Sequence, residues 1–117
     1  MTPVFAELHV YCDDTPRSAA LNMAVDEALL EKASTPSLRI YRWDHPALSF
    51  GYFGRFADVV SCVGDRDVVR RWTGGGIVFH GEDLTYALVI PIDGRMTWNP
   101  IAIYTATHTA IADVLVA

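Results

Sequence analysis

The sequence predicts an α+β domain in which helices pack on a mixed, mostly antiparallel sheet. An early segment repeats its apolar residues every four positions, and a second segment at the end of the chain has helical spacing. Between them lie short β-rich runs separated by Gly, Pro and Asp, as expected for strands joined by turns.

Glu7 to Cys12 alternates weakly and reads as an opening strand. Thr15 then offers a cap, and Pro16 a first helical position where its missing N–H costs nothing. From there Ala20/Leu21, Ala24/Val25 and Ala28/Leu29 predict an apolar stripe turned to a core, until Ser34, Thr35 and Pro36 end the helix. Asn22 and Asp26 are four apart, hence on one helix face away from that stripe, where a solvated face is the ordinary expectation. Leu38 to Trp43 reads as a strand broken by Asp44-His45-Pro46, and Ala47 to Tyr52 as the next. A short helix is expected over Phe56 to Ser61. Val68 to Arg71 and Ile77 to His80 flank Trp72-Thr73-Gly74-Gly75-Gly76, and Leu84 to Ile90 follows Gly81-Glu82-Asp83 as a further strand. Tyr41, Trp43, Tyr52 and Phe53, aromatic residues in or beside strands, are expected in the core.

Asn99 and Pro100 form the cap and first turn of a last helix, continued by Ile101, Tyr104, His108, Ile111 and Leu115. Asp113 is the only charged residue between Ala102 and Ala117. Such a helix needs cover on most sides, and no Gly, Lys or Arg closes it. The chain is therefore expected to be truncated at its C-terminus: residues 1–117 read as the N-terminal part of a single domain, inactive and poorly soluble alone.

A chain of 117 residues, 51% hydrophobic, can bury one core and is not disordered in character. Its net charge of −5 and lack of a long basic run argue against nucleic-acid binding. Apolar runs such as Ala87 to Ile90 are far too short to cross a bilayer, and acidic Glu7, Asp13 and Asp14 sit where a signal peptide would be basic and then apolar. Cys12 and Cys62 form no metal-spacing motif, so a reduced, cytoplasmic setting is expected. Eight of the nine basic residues are arginine, with Arg66, Arg70 and Arg71 close together. Arginine's planar fork suits carboxylate and phosphate, which predicts a local anion site.

That site falls on Arg70-Arg71-Trp72-Thr73-Gly74-Gly75-Gly76-Ile77-Val78-Phe79-His80. Successive glycines let the backbone approach a ligand closely, and exposed N–H groups in such a turn can form an anion-binding concavity. The arginines could clamp a phosphate or carboxylate, Thr73 could add a hydroxyl donor, and Ile77 to Phe79 could form an apolar wall. The combination suits an acyl group joined to a phosphate or thioester. The loop lacks the Gly-Lys-Ser/Thr ending of a Walker A motif and the βαβ setting of a dinucleotide fingerprint. His80 shows no ligand spacing with His9, His45 or His108, so no metal is expected.

Arg70 to His80, followed by Leu84-Thr85-Tyr86, resembles the signature of the lipoate–protein ligase A family and its octanoyltransferase relatives. Asn22 to Leu29 resembles the family's first helix, and Arg39-Ile40-Tyr41-Arg42-Trp43 through Pro46, Leu48, Ser49 and Gly51 its first long strand pair. The resemblance implies a biotin/lipoate ligase-like fold and one of two enzymatic activities. The first is a lipoate–protein ligase that uses ATP with Mg2+ and lipoate as substrates and passes lipoyl-adenylate to a carrier lysine. The alternative is an octanoyltransferase, without cofactor, that moves octanoyl from acyl carrier protein through a cysteine thioester; a non-catalytic acyl-binding module is a further alternative. Implied partners are lipoyl-domain carriers, namely E2 subunits of 2-oxoacid dehydrogenases and the glycine cleavage H protein.

By position, Arg71, Gly76, Ile77, Val78 and Phe79 are expected to contact the acyl-adenylate, while Arg70, Thr73, Gly74 and Gly75 shape the loop and His80 lines the site. The catalytic lysine or cysteine is expected beyond Ala117. Gly76 leans toward the ligase branch and Leu84-Thr85-Tyr86 toward the octanoyltransferases. Gly54 stands where relatives commonly carry Gln.

Overall fold

The structure, a computed structural model, describes residues 5–92 and 99–117. In chain order its elements are β1 (His9–Cys12), α1 (Ala19–Lys32), β2 (Ser37–Tyr41), β3 (Ala47–Phe50), α2 (Phe56–Val59) with a 3-10 turn (Val60–Cys62), β4 (Asp67–Arg70), β5 (Val78–His80), β6 (Thr85–Val89) and α3 (Pro100–Leu115). The strands make two three-stranded sheets, ordered β1-β2-β6 and β4-β3-β5. Each central strand has one parallel and one antiparallel neighbour: β2 runs parallel to β1 and antiparallel to β6, and β3 parallel to β4 and antiparallel to β5. Helix α1 packs on β2, β4 and β6 and so bridges both sheets. The α+β expectation holds, and most strand ends differ from it by a residue or two, the usual fraying.

Helix α1 departs from expectation in two ways. Thr15 and Pro16 do not start it. Arg17 is pinned in a bridge to Trp43, its N–H donating to the Arg42 carbonyl and its own carbonyl accepting from the Asp44 amide. The backbone therefore stays extended until Ser18, whose hydroxyl accepts from the Leu21 amide at 3.1 Å and caps the helix.

The buried face is also not the apolar stripe. Ala20, Leu21, Ala24 and Ala28 are exposed, while Ala19 and Asn22 are buried and Met23 packs on the core. The cause lies on β2, which turns Arg39 inward at 1% exposure. A guanidinium taken out of water requires acceptors. Arg39 finds them in the Asn22 carbonyl at 3.1 Å, Asn22 Oδ1 at 2.7 Å, Asp26 Oδ1 at 3.0 Å and Asp13 Oδ2 at 3.3 Å. Asn22 Nδ2 in turn donates to the carbonyls of Arg17 and Arg42. Asn22 and Asp26, expected on a solvated face, thus form the inward one.

Tyr41 completes this cluster. Its hydroxyl donates to Asp26 Oδ2 at 2.9 Å, and its ring lies 3.9 Å below the Arg39 guanidinium. Burial, reinforced by the Asp26 carboxylate, pushes the Tyr41 hydroxyl far above the ordinary phenol range, so it stays a donor. The hydrogen bond from Arg17, aided by Arg39 and opposed by burial, holds Asp13 below the usual carboxylate range.

Strand β3 is buried on both faces. Ala47 joins Ala19, Tyr41 and Trp43 in one apolar cluster, whereas Leu48 and Phe50 join Val59 in another on the opposite side. Tyr41 and Trp43 are core, as expected; Tyr52 and Phe53 are not, at 45% and 87% exposure. Strand β3 stops at Phe50, and the following turn carries their rings outward, where Tyr52 stacks on Trp72. Cys12 and Cys62 are exposed free thiols.

Helix α3 begins as expected, with Asn99 Oδ1 accepting from the Ile101 amide at 2.9 Å. It lies over the face of the first sheet turned away from α1. An apolar cavity of about 600 Å³ separates Leu38, Ile40, Tyr86 and Leu88 of the sheet from Ile103, Ala106 and Ala110 of the helix. No helix among the described residues is long and apolar enough to cross a membrane.

Candidate functional site

The glycine loop crosses directly over Gly51. A Cβ there would lie 2.1 Å from the Gly75 carbonyl oxygen and 2.9 Å from its amide nitrogen, so only glycine permits the approach. Gly75 itself has φ of +103°, a backbone conformation that L side chains rarely adopt. The Tyr52 amide donates to the Thr73 carbonyl at 2.9 Å and the Arg71 amide to the Phe50 carbonyl at 2.9 Å, which stitch the loop to the end of β3.

Both expected arginines are engaged with the protein's own backbone. Arg71 Nη1 donates to Ser49 Oγ at 2.8 Å, and its Nη2 donates to the carbonyls of Gly76 at 2.7 Å and Gly74 at 3.2 Å. Burial pushes the Arg71 guanidinium below its ordinary value. Arg70 donates to the carbonyls of Tyr52 and Gly54 and lies over the Phe50 ring. The Gly74 and Gly76 carbonyls turn to Arg71, Gly74 to Ile77 are exposed residues, and their amides make no hydrogen bond among the described residues. Thr73 is exposed as well. Beside these amides Ile77, Val78 and Phe79 stand 40%, 44% and 54% exposed, an apolar strip at the mouth of the loop.

Beneath the loop runs a chain of polar groups, from buried Ser49 and His80 to partly exposed Asp83. His80, 8% exposed, places Nε2 at 2.8 Å from Ser49 Oγ and Nδ1 at 2.8 Å from Asp83 Oδ2. Asp83 also accepts from the Gly81 amide at 2.8 Å and from Thr85 Oγ1 at 2.9 Å, and Thr85 accepts from Trp43 Nε1 at 2.9 Å. The Trp43 ring stacks on the His80 imidazole with centroids 4.0 Å apart. Burial alone would raise the Asp83 carboxyl, but the hydrogen bonds from His80, Gly81 and Thr85 outweigh it and hold the group below the ordinary carboxylate range.

The structure thus gathers Arg71, Gly74, Gly75, Gly76 and His80 around one feature and leaves Ile77, Val78 and Phe79 at its rim. Arg70 and Thr73 brace the loop from the outside. Sequence reasoning assigned no site role to Ser49, Asp83, Thr85 or Trp43. Two signals pointed to them: Ser49 is a lone polar residue in an otherwise apolar strand, and Asp83 follows His80 by three residues across a glycine turn. Among the described residues no group of His, Cys, Asp or Glu is placed to hold a metal ion.

The model of the lipoyl protein ligase A/B catalytic domain matches residues 18–116. The chain belongs to this family. An octanoyltransferase LipM of Oceanobacillus iheyensis is 44% identical over 92 residues, covering 72% of this chain and 34% of its own. The chain thus spans about a third of the length of the curated relatives it matches. Among solved structures, a bipartite lipoate protein ligase studied with its E2 lipoyl domain, from Thermoplasma acidophilum, superposes with a TM-score of 0.70 at 27% identity, covering 93% of this chain and 44% of that one. A lipoate-protein ligase A bound with ATP superposes at 0.63 and 26% identity, covering 85% of this chain and 42% of that one. The catalytic-domain match includes α1, the strand pair around Trp43 to Gly51, and the whole glycine loop.

Proposed function

We propose that this chain is the N-terminal part of a lipoyl ligase-type catalytic domain that moves an octanoyl group onto a lysine of a lipoyl-domain carrier. The observation that carries this reading is the glycine loop: Arg71 holds the Gly74 and Gly76 carbonyls, and the loop amides, without a hydrogen-bond partner among the described residues, lie beside the apolar strip of Ile77, Val78 and Phe79. In this reading loop amides without a protein partner stabilise the oxyanion that forms when an acyl carbonyl is attacked, and the strip receives the fatty chain.

In this reading a cysteine thiolate attacks the thioester of octanoyl acyl carrier protein and expels the carrier thiol. The lysine amine then attacks the enzyme thioester, forms the amide, and returns the thiolate as its proton leaves. Cys12 on β1 and Cys62 in the 3-10 turn lie in elements outside the glycine loop, so the nucleophile is assigned to the part of the relatives' length that this chain does not cover.

The octanoyltransferase names of the curated relatives favour transfer over the ATP-dependent ligation expected first from the sequence. Likeness to a ligase bound with ATP keeps ligation as the second reading, in which ATP with Mg2+ and lipoate are substrates. The test is to offer a protein carrying this chain either octanoyl acyl carrier protein without ATP, or lipoate with ATP and Mg2+, and to weigh a lipoyl domain by mass spectrometry. Octanoylation in the first mixture is expected. Modification only in the second would establish ligation, and an unmodified carrier in both would leave an acyl-binding module.

A further inference from the structure

We propose that Ser49 is a positioning residue whose single hydroxyl sets both the proton on His80 and the pose of Arg71. The role stands on geometry; its bearing on acyl capture rests on the acyl-transfer reading of the glycine loop.

Arginine has donors only, so Ser49 Oγ must accept from Arg71 Nη1 at 2.8 Å. Ser49 is fully buried, and among the described residues its own hydrogen has one other partner within reach, His80 Nε2 at 2.8 Å. That nitrogen must therefore be the acceptor, because an N–H there would leave the serine hydrogen orphaned in a dry site. The far end agrees independently. Asp83 receives hydrogen bonds from Gly81 and Thr85 and is ionised, so His80 Nδ1, 2.8 Å from Asp83 Oδ2, must carry the proton.

Every link then points one way. Arg71 donates to Ser49, Ser49 to His80, His80 to Asp83, and from the other side Trp43 donates to Thr85 and Thr85 to Asp83. The hydroxyl is the hinge of this order, for it is the only member that faces both the loop cation and the imidazole. Take it away, and Arg71 loses the anchor that keeps Nη2 on the Gly74 and Gly76 carbonyls, while His80 Nε2 loses its donor. A histidine whose Nε2 is committed to the serine hydroxyl orients; it does not deliver a proton to a ligand in this arrangement.

The test is nuclear magnetic resonance on a protein carrying this chain, without any acyl ligand, so that its outcome is independent of whether the protein transfers octanoate. Long-range proton–nitrogen correlation of the imidazoles should show His80 protonated at Nδ1 and bare at Nε2. In Ser49→Ala, the His80 Nε2 signal should shift toward its free value and the amide signals of Gly74, Gly75 and Gly76 should move, with helix content unchanged by circular dichroism. Ser49→Thr, which keeps the hydroxyl, should restore both signals. A wild-type His80 protonated at Nε2 would overturn the proposal. So would loop amides that stay in place in Ser49→Ala, or move equally in Ser49→Thr. Because the tautomer is read on the unaltered chain, failure of the alanine variant to fold does not remove the test.

Discussion

At Gly51 the glycine loop passes so close that an added Cβ would meet backbone atoms of Gly75, which cannot swing aside as a side chain could. Gly74 and Gly76 lie in the same loop, yet a Cβ on either would meet nothing within 4 Å. Residue identity in the motif is thus uneven in its physical demand. Gly51→Ala is expected to destabilise by about 1–3 kcal/mol, the usual range for overpacking, and to displace the loop. Gly76→Ala is expected to change stability by under about 0.5 kcal/mol. Urea unfolding of the two variants checks this, and equal costs would refute the close-approach argument.

Helix α1 illustrates how an element's inward face is chosen by its neighbour. Its sequence offers an apolar stripe, but the buried Arg39 on β2 recruits Asn22 and Asp26 instead. Apolar burial is worth only a few kcal/mol per side chain, whereas a buried guanidinium stripped of its partners costs about 3–5 kcal/mol. Arg39→Ala should therefore destabilise by about that amount, leaving Asp26 without its cation and Asp13 with Arg17 alone. Asn22→Ala should cost about 1–3 kcal/mol through the unsatisfied groups it leaves. Leu21→Ala, 44% exposed, should cost less than Asn22→Ala. Chemical denaturation of these variants decides it: the reverse order would restore the apolar stripe as the packing face.

Across the whole molecule, the polar chain from Arg71 to Trp43 ties the two sheets together. Ser49 and His80 belong to the second sheet, Thr85 to the first, and Asp83 to the turn between β5 and β6. Because the folded state holds the Asp83 carboxyl below its ordinary value of 3.8, its contribution to stability is complete above that pH. It is lost as pH falls through the lower folded-state value, where the carboxylate takes up a proton. Melting temperatures of wild type and Asp83→Asn should differ by a constant amount at higher pH and converge in acid below 3.8. A gap that persists undiminished into strong acid would show that Asp83 does not anchor the junction through its charge.

What the sequence by itself determined was the kind and order of the elements, but not the start or the inward face of α1. The β-rich runs and their breakers gave the strands, Asn99-Pro100 gave the start of α3, and the string from Arg70 to His80 marked the loop and the family. The tertiary structure decided which polar groups meet. Ser49 and His80 are 31 residues apart and Asn22 and Arg39 are 17 apart, far beyond the one-turn reach of a helical pattern. The first pair meets because β3 and β5 lie antiparallel, with Ser49 opposite Val78 and His80 opposite Ala47. The second meets because α1 lies across β2. Sheet register and helix docking are long-range choices, set by which buried charges find partners. So a motif that reads as an anion-binding glycine loop becomes, in the folded chain, a loop whose arginine is itself held by one serine, which in turn meets one histidine.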